Sequence, residues 1–297
     1  MSIHLGLDLG GTNVKCAVIE IGDSGPSVLA TASSPNASEH GPDQVLRRVA
    51  ELGRETLDGR VADSAGLGLP GHFDAEAGAG VLLPNLRGDW RGRPIAAPVG
   101  DALGIPVRLV NDSRALTLAE LRLGAGRGAR DLVCVALGTG VGGGVVIGGR
   151  LHLGLAHAGE IGHQTVEPEG PPCGCGNRGC LDRMAGAGAI AGYAGTATVA
   201  DAVDAARAGD ERARAAFERA AGYVGLALSN AIVLLWPERV VVGGGVAEAG
   251  ELLFEPLRKV VAERACVAPV ERMPIVPAAL GPAAGAVGAA LWAVEAP

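Results

Sequence analysis

The chain has 297 residues, of which 48 are glycine and only 3% aromatic, and a formal net charge of −7. That length suggests two domains of ordinary size and suffices to bury a core without disulfides. The acidic balance argues against a nucleic-acid binder, which needs a basic footprint. The longest apolar stretch, residues 224–236, is interrupted by Ser229 and Asn230 and is too short to span a bilayer.

In chain order, residues 3–9, 13–21 and 27–31 read as a β-meander, and residues 42–57 have helical periodicity. Short apolar strands are expected at 65–69 and 106–110, with a helix over 113–123 directly after the second. A glycine-rich hairpin spans about 131–153. Residues 154–181 lack regular pattern and carry a cysteine cluster. The chain is then largely helical from 199 to 236. It closes with a buried strand at 239–242, a helix over 250–264, a short strand at 274–277 and an apolar helix at 285–294. The alternation of strands and helices predicts mixed α/β domains. The N-terminus has no basic segment followed by an apolar run, so no signal peptide is read and a cytoplasmic protein is expected.

Two stretches stand out. Leu5-Gly6-Leu7-Asp8-Leu9-Gly10-Gly11-Thr12-Asn13 reads as strand, glycine turn and strand. Such a turn can offer backbone N–H groups to a phosphate, because glycine has no Cβ to block close approach. A carboxylate beside it, Asp8, can hold Mg2+ through water. The pattern recurs at Leu137-Gly138-Thr139-Gly140-Val141-Gly142-Gly143-Gly144. With Leu9 set on Leu137, Val18-Ile19 falls on Val146-Ile147, and Asp8 has only Ala136 opposite it. One copy is equipped for phosphate and metal, the other for phosphate alone. The doubling resembles the actin-like ATPase fold (sugar kinases, Hsp70 and actin; ribonuclease H-like). That resemblance implies two α/β domains with a nucleotide cleft between them.

His163, Cys173, Cys175 and Cys180 supply one imidazole and three thiolates. The Cys-x-Cys-x4-Cys spacing with interleaved glycines forms a loop able to wrap one ion, and four protein ligands indicate a structural Zn2+. A zinc-bound His163 would have its second ring nitrogen fixed in direction, with Glu160 on the same segment, so the pair could face a substrate. Cys16, Cys134 and Cys266 read as small buried hydrophobes. Asn111-Asp112 sits at a strand–helix junction. Asp112 is there either the N-cap of the helix or a general base at the carboxyl end of a strand.

Together these motifs resemble the ROK family (repressors, open reading frames, kinases), most of all its bacterial glucokinases, over nearly the whole chain. The segments carrying the resemblance are Asp8–Thr12, Gly66-Leu67-Gly68-Leu69-Pro70-Gly71, Asn85-Leu86, Asn111-Asp112, Gly138–Gly144, Ala158-Gly159-Glu160-Ile161-Gly162-His163, Cys173–Cys180 and Gly243-Gly244-Gly245. The resemblance implies ATP-dependent phosphorylation of a hexose, with glucose expected and N-acetylmannosamine, N-acetylglucosamine or fructose as alternatives. It implies Asp112 as catalytic base and hexose contacts from Gly71, Asn85, Asn111, Asp112, Glu160, His163 and Asp182. ATP would be held by Asp8, Gly10, Gly11, Thr12, Gly138, Thr139, Gly140, Gly243 and Gly244. It also implies a homodimer or homotetramer. A first domain of residues 1–113 would be joined by a C-terminal helix at 283–297, and a second of 114–282 would carry the zinc loop. Three positions depart from the family pattern. Asp182 replaces a glutamate, Lys15 comes three residues after Thr12 rather than directly, and Arg114 stands where asparagine is common. A repressor of this family would need an N-terminal helix-turn-helix, which is not expected ahead of a motif beginning at residue 5. A sugar-binding module without catalysis is disfavoured by the presence of Asp8, Asp112 and both turns.

Overall fold

The computed structural model describes residues 1–84 and 86–296. The chain divides into two units, Met1–Gly124 with Leu280–Pro297, and Ala125–Ala279. The expected break at residue 113 is displaced: the helix that follows Asn111 goes with the first unit.

In the first unit, β1 (Ser2–Leu9), β2 (Asn13–Gly22) and β3 (Gly25–Pro35) form an antiparallel meander. Helix α1 (Pro42–Leu57) follows, then β4 (Ser64–Leu69), parallel to β1. A short hairpin, β5 (His72–Asp74) and β6 (Ala79–Leu82), and helix α2 (Ala96–Leu103) lead to β7 (Val107–Asn111), parallel to β4, and to α3 (Asp112–Arg122). The sheet order is β3-β2-β1-β4-β7.

The period of two along β1 decides what each face meets. Leu5, Leu7 and Leu9 enter the core with Val45, Leu46 and Val49 of α1. Gly6 and Asp8 face the other way, onto the C-terminal helix (Ala284–Glu295). That helix lies so close to the sheet that a Cβ on Gly6 or Gly66 would collide with the carbonyl oxygen of Ala286 or Ala289. A Cβ on Gly288 would likewise collide with that of Ala115 on α3. Its far end is pinned by a bidentate pair, with Arg122 donating to Glu295 at 2.7 and 2.6 Å, and by Trp292 Nε1 donating to the Leu109 carbonyl at 2.9 Å.

The second unit repeats the plan. β8 (Leu132–Leu137), β9 (Val141–Ile147) and β10 (Arg150–Leu151) are antiparallel, and β11 (Arg239–Gly243) and β12 (Ile275–Pro277) add in parallel. The order β10-β9-β8-β11-β12 matches the first sheet strand for strand. The match has a one-residue offset. Leu9 pairs with Val14, but Leu137 pairs with Val141, so the second turn is one residue shorter. Val18 is therefore the counterpart of Val145, not of Val146.

Helices α4 (Leu181–Ala185) and α5 (Ala187–Ala194) follow the cysteine loop. The helical stretch after residue 198 is two helices, α6 (Val199–Arg207) and α7 (Glu211–Leu235), each with its own N-cap. Thr198 caps α6 with Asp201 in a capping box, and Asp210 caps α7 by accepting from Ala213 N–H at 2.9 Å. With α8 (Glu251–Arg264) they cover the sheet, where Val133, Val135, Val240 and Val242 pack with Phe217, Leu228, Phe254 and Leu257. Cys16 and Cys134 are buried as expected, whereas Cys266, just past the end of α8, is exposed. Among the described residues no helix is long and apolar enough to cross a membrane.

Candidate active site

In the first unit the candidate residues gather at the carboxyl edge of the parallel strands, where open α/β sheets place ligands. Asp8 lies opposite Gly68, and Leu69 opposite Asn111. The turn Gly10-Gly11-Thr12 closes with Gly10 N–H donating to Asn13 O at 2.9 Å. Asn36, which the sequence reading missed, braces it from the side. Its Nδ2 donates to Gly10 O at 2.7 Å and its backbone N–H to Thr12 O at 2.9 Å. Gly11 and Thr12 remain exposed.

Asp8 has room only because its neighbours are glycine. A Cβ on Gly285 or Gly68 would press on its carboxylate. Burial pushes its pKa up to about 7; the negative charge of Asp112 adds to the rise, and Lys15 opposes it. The two carboxylates thus sense each other, and a cation between or beside them would be strongly favoured.

The junction of β7 and α3 shows which residue is the N-cap. The N-cap is Asn111, whose Oδ1 accepts from Ser113 N–H at 3.1 Å and Arg114 N–H at 3.3 Å. Asp112 is the first helical residue; its Oδ1 accepts from Ser113 N–H at 2.7 Å and Ser113 Oγ at 3.2 Å. Asn111 thus holds the N-cap position, while one Asp112 oxygen also accepts the first-turn N–H of Ser113. Asn111 Nδ2 points toward the Gly71 carbonyl at 3.5 Å. Gly71, with φ of 76°, passes so near Pro84 and the Leu82 carbonyl that a side chain would not fit. Asn85 lies outside the described residues.

In the second unit the turn Gly138-Thr139-Gly140 closes with Gly138 N–H donating to Gly140 O at 2.8 Å. Gly243 pairs with Ala136, and Gly244, with φ of 87°, abuts the Leu137 carbonyl so closely that only glycine fits. Two motifs far apart in sequence therefore meet at one sheet edge. Asp182 is also here. It does not cap α4, whose N-cap is Cys180 without a side-chain bond; its Oδ1 accepts from Val141 N–H at 2.8 Å. One oxygen of the expected hexose contact is thereby committed to the turn.

The ligand atoms of His163, Cys173, Cys175 and Cys180 all lie within 4.8 Å of one another. Cys173 Sγ is 3.7 Å from His163 Nδ1, and Cys175 Sγ is 3.7 Å from Cys180 Sγ. A disulfide would need about 2.05 Å. A tetrahedral zinc with bonds of about 2.3 Å to sulfur has S···S edges of about 3.8 Å. The donor set and its spacing fit that ion, with His163 presenting Nδ1 to the cluster. Burial together with the neighbouring thiols pushes the Cys180 thiol up to about 12. A cation is what would make its thiolate affordable. Glu160 precedes a short 3₁₀ turn, Ile161–His163, that ends on His163, and Glu160 also borders a largely apolar cavity of about 260 Å³ lined by Val133, Gln164 and, from α7, Ala231, Leu234 and Leu235.

The ROK family model matches residues 4–296. The glucokinase of Thermotoga maritima is 38% identical, the alignment covering 96% of this chain and 95% of that protein. Among solved structures, a ROK family glucokinase from Streptomyces griseus in complex with glucose and AMPPNP superposes with a TM-score of 0.86 at 31% identity, covering 98% of this chain and 99% of that one. A ROK hexokinase from Thermus thermophilus gives 0.85 at 36% identity, with 98% and 97% covered.

Proposed function

The chain belongs to the ROK family, and from that premise we propose that it transfers the terminal phosphoryl group of ATP to a hexose, glucose to glucose 6-phosphate. The observation that carries this reading is the arrangement at β7–α3: Asn111 is the N-cap of the helix, and Asp112, its first residue, sets a carboxylate at the strand's carboxyl edge near Asp8. The glucokinases to which the chain is similar support glucose as the hexose.

In phosphoryl transfer the protein mainly positions reactants and neutralises charge. Asp112 accepts the proton of the attacking hydroxyl, on C6 of the sugar. Asn111 Nδ2, Gly71, Asn85, Glu160 and His163 hold sugar hydroxyls. The N–H groups of Gly10–Thr12 and Gly138–Gly140 receive the phosphates, and Gly243-Gly244 lie beside the adenosine. Asp8 is the residue to hold Mg2+, which when bound supplies charge neutralisation at the phosphates. His163, Cys173, Cys175 and Cys180 are the residues to hold Zn2+, which when bound supplies a rigid cross-link with no open position. The protein assembles as a homodimer or homotetramer.

The test is ADP release with ATP and a panel of glucose, fructose, N-acetylmannosamine and N-acetylglucosamine. Glucose is expected to give the highest kcat/KM. Asp112→Asn is expected to lower kcat by about 10²–10⁴-fold, the range for a positioned general base, while glucose still binds. A preparation that turns over no hexose, or an Asp112→Asn variant with near-normal kcat, overturns the reading.

A further inference from the structure

The two glycine turns are braced by different chemistry. The first is held by a neutral amide, Asn36. The second is held by a carboxylate, with Val141 N–H donating to Asp182 Oδ1 at 2.8 Å. The fit is close, since a Cβ on Gly140 would collide with that same oxygen. The turn is fastened at its other end by Ala187 N–H donating to Gly138 O at 2.8 Å. The Gly138 N–H is itself given to Gly140 O at 2.8 Å, so the N–H groups of Gly138 and Val141 are both occupied. Among the described residues these bonds leave the N–H groups of Thr139 and Gly140 without a partner, at a tip where Thr139 is exposed.

Resting on the kinase reading above, we propose that Asp182 is a positioning residue for this phosphate-binding turn, acting through the Val141 N–H, rather than a hexose contact. Its shorter side chain is the reason. Asp182 lies in the first turn of α4, where its Oδ1 meets the Val141 N–H directly; a glutamate would carry its carboxylate one methylene farther. The turn uses the oxygen as an acceptor and gains nothing from its charge, because a second anion beside phosphates repels them. Asp182 also follows Cys180 by two residues. The cysteine loop therefore fixes the start of α4, and through Asp182 the shape of the turn.

The experiment compares Asp182→Ala with Asp182→Asn, whose amide keeps the acceptor and removes the charge. Binding of AMPPNP with magnesium and of glucose is measured separately by calorimetry, and exchange of the Val141 amide is followed without ligand. The alanine variant is expected to lose Val141 protection and to bind AMPPNP up to about tenfold more weakly, the upper end of the net worth of one hydrogen bond, with glucose affinity unchanged. The asparagine variant is expected to keep Val141 protection and glucose affinity and to bind AMPPNP at least as tightly as wild type. A loss confined to glucose affinity, an unaltered Val141 amide in the alanine variant, or an asparagine variant as impaired as alanine overturns the assignment. If the wild-type protein binds neither ligand, the kinase reading falls with it, and the exchange result then reports the contact alone.

Discussion

Burial gives the fold a strong hold on the proton of Asp8. Its folded pKa of about 7 stands above an ordinary aspartate value of about 3.9, because burial and the Asp112 charge penalise the anion. Between these two values the folded protein holds a proton that the unfolded chain releases. The stability linked to that proton is complete below about pH 4 and is lost as pH rises through about 7. Asp8→Asn stays neutral throughout. Without metal, its melting temperature is expected to gain on wild type progressively between pH 5 and pH 8, with the larger excess at pH 8; magnesium added to wild type at pH 8 should narrow the gap. Equal melting temperatures at pH 8 would show that the ionised carboxylate carries no cost there. The places of Asp8 and Asp112 at strand ends were legible from sequence, because each stands where a strand gives way to a glycine turn or a helix. Which of Asn111 and Asp112 caps α3 was not. Both residue types cap well, and only the backbone at the junction assigns the task.

At the scale of elements, the cysteine loop is the clearest case of sequence dictating structure, since spacing alone placed four ligand atoms within 4.8 Å of one another. One zinc per chain is expected by elemental analysis. Cys175→Ser should lower metal content, and it should weaken glucose binding as well as stability, because His163 and Glu160 share the loop's anchorage. A metal-free preparation with full activity would reject a structural zinc. Other elements were hidden. Helix α4 is only five residues long, and α5, rich in alanine and glycine and apolar almost all round, lacks the contrast of faces that reveals a helix. Helix α2 and the β5–β6 hairpin are too short to show a period. The shorter second turn was masked by the glycine run Gly142–Gly144, in which a one-residue slip changes no residue type. The C-terminal helix was legible as apolar, but its close seat on Gly6, Gly66 and Asp8 comes from chain segments that only the fold brings together.

At the scale of the whole molecule, one plan is used twice with unequal equipment. Both sheets share a strand order and a glycine turn after the first strand, yet Asp8 has Ala136 as its counterpart, and the second unit alone carries the cysteine loop. The second unit also carries a surface that its own core does not explain. Most of the apolar residues of α7, such as Phe217, Val224, Leu228 and Ile232, pack inward. The last turn does not: Leu234 is 83% exposed, with Val233, Leu235 and Trp236 also exposed beside it. A groove of about 610 Å³ adjoins it, lined by Leu226, Asn230, Val233 and Arg264. A protruding apolar end next to a groove on the same face is what a two-fold symmetric contact requires, since each copy must offer both halves of the fit. Sedimentation at micromolar concentration is expected to show a dimer or a larger closed assembly. Leu234→Glu should shift it toward monomer by placing two buried charges at the contact without a partner. Because Leu234 is exposed within its own chain, the variant should keep the melting behaviour of the isolated fold, so a change in mass without loss of folded signal isolates the interface. A wild-type monomer under these conditions would leave the exposed end of α7 to some other partner.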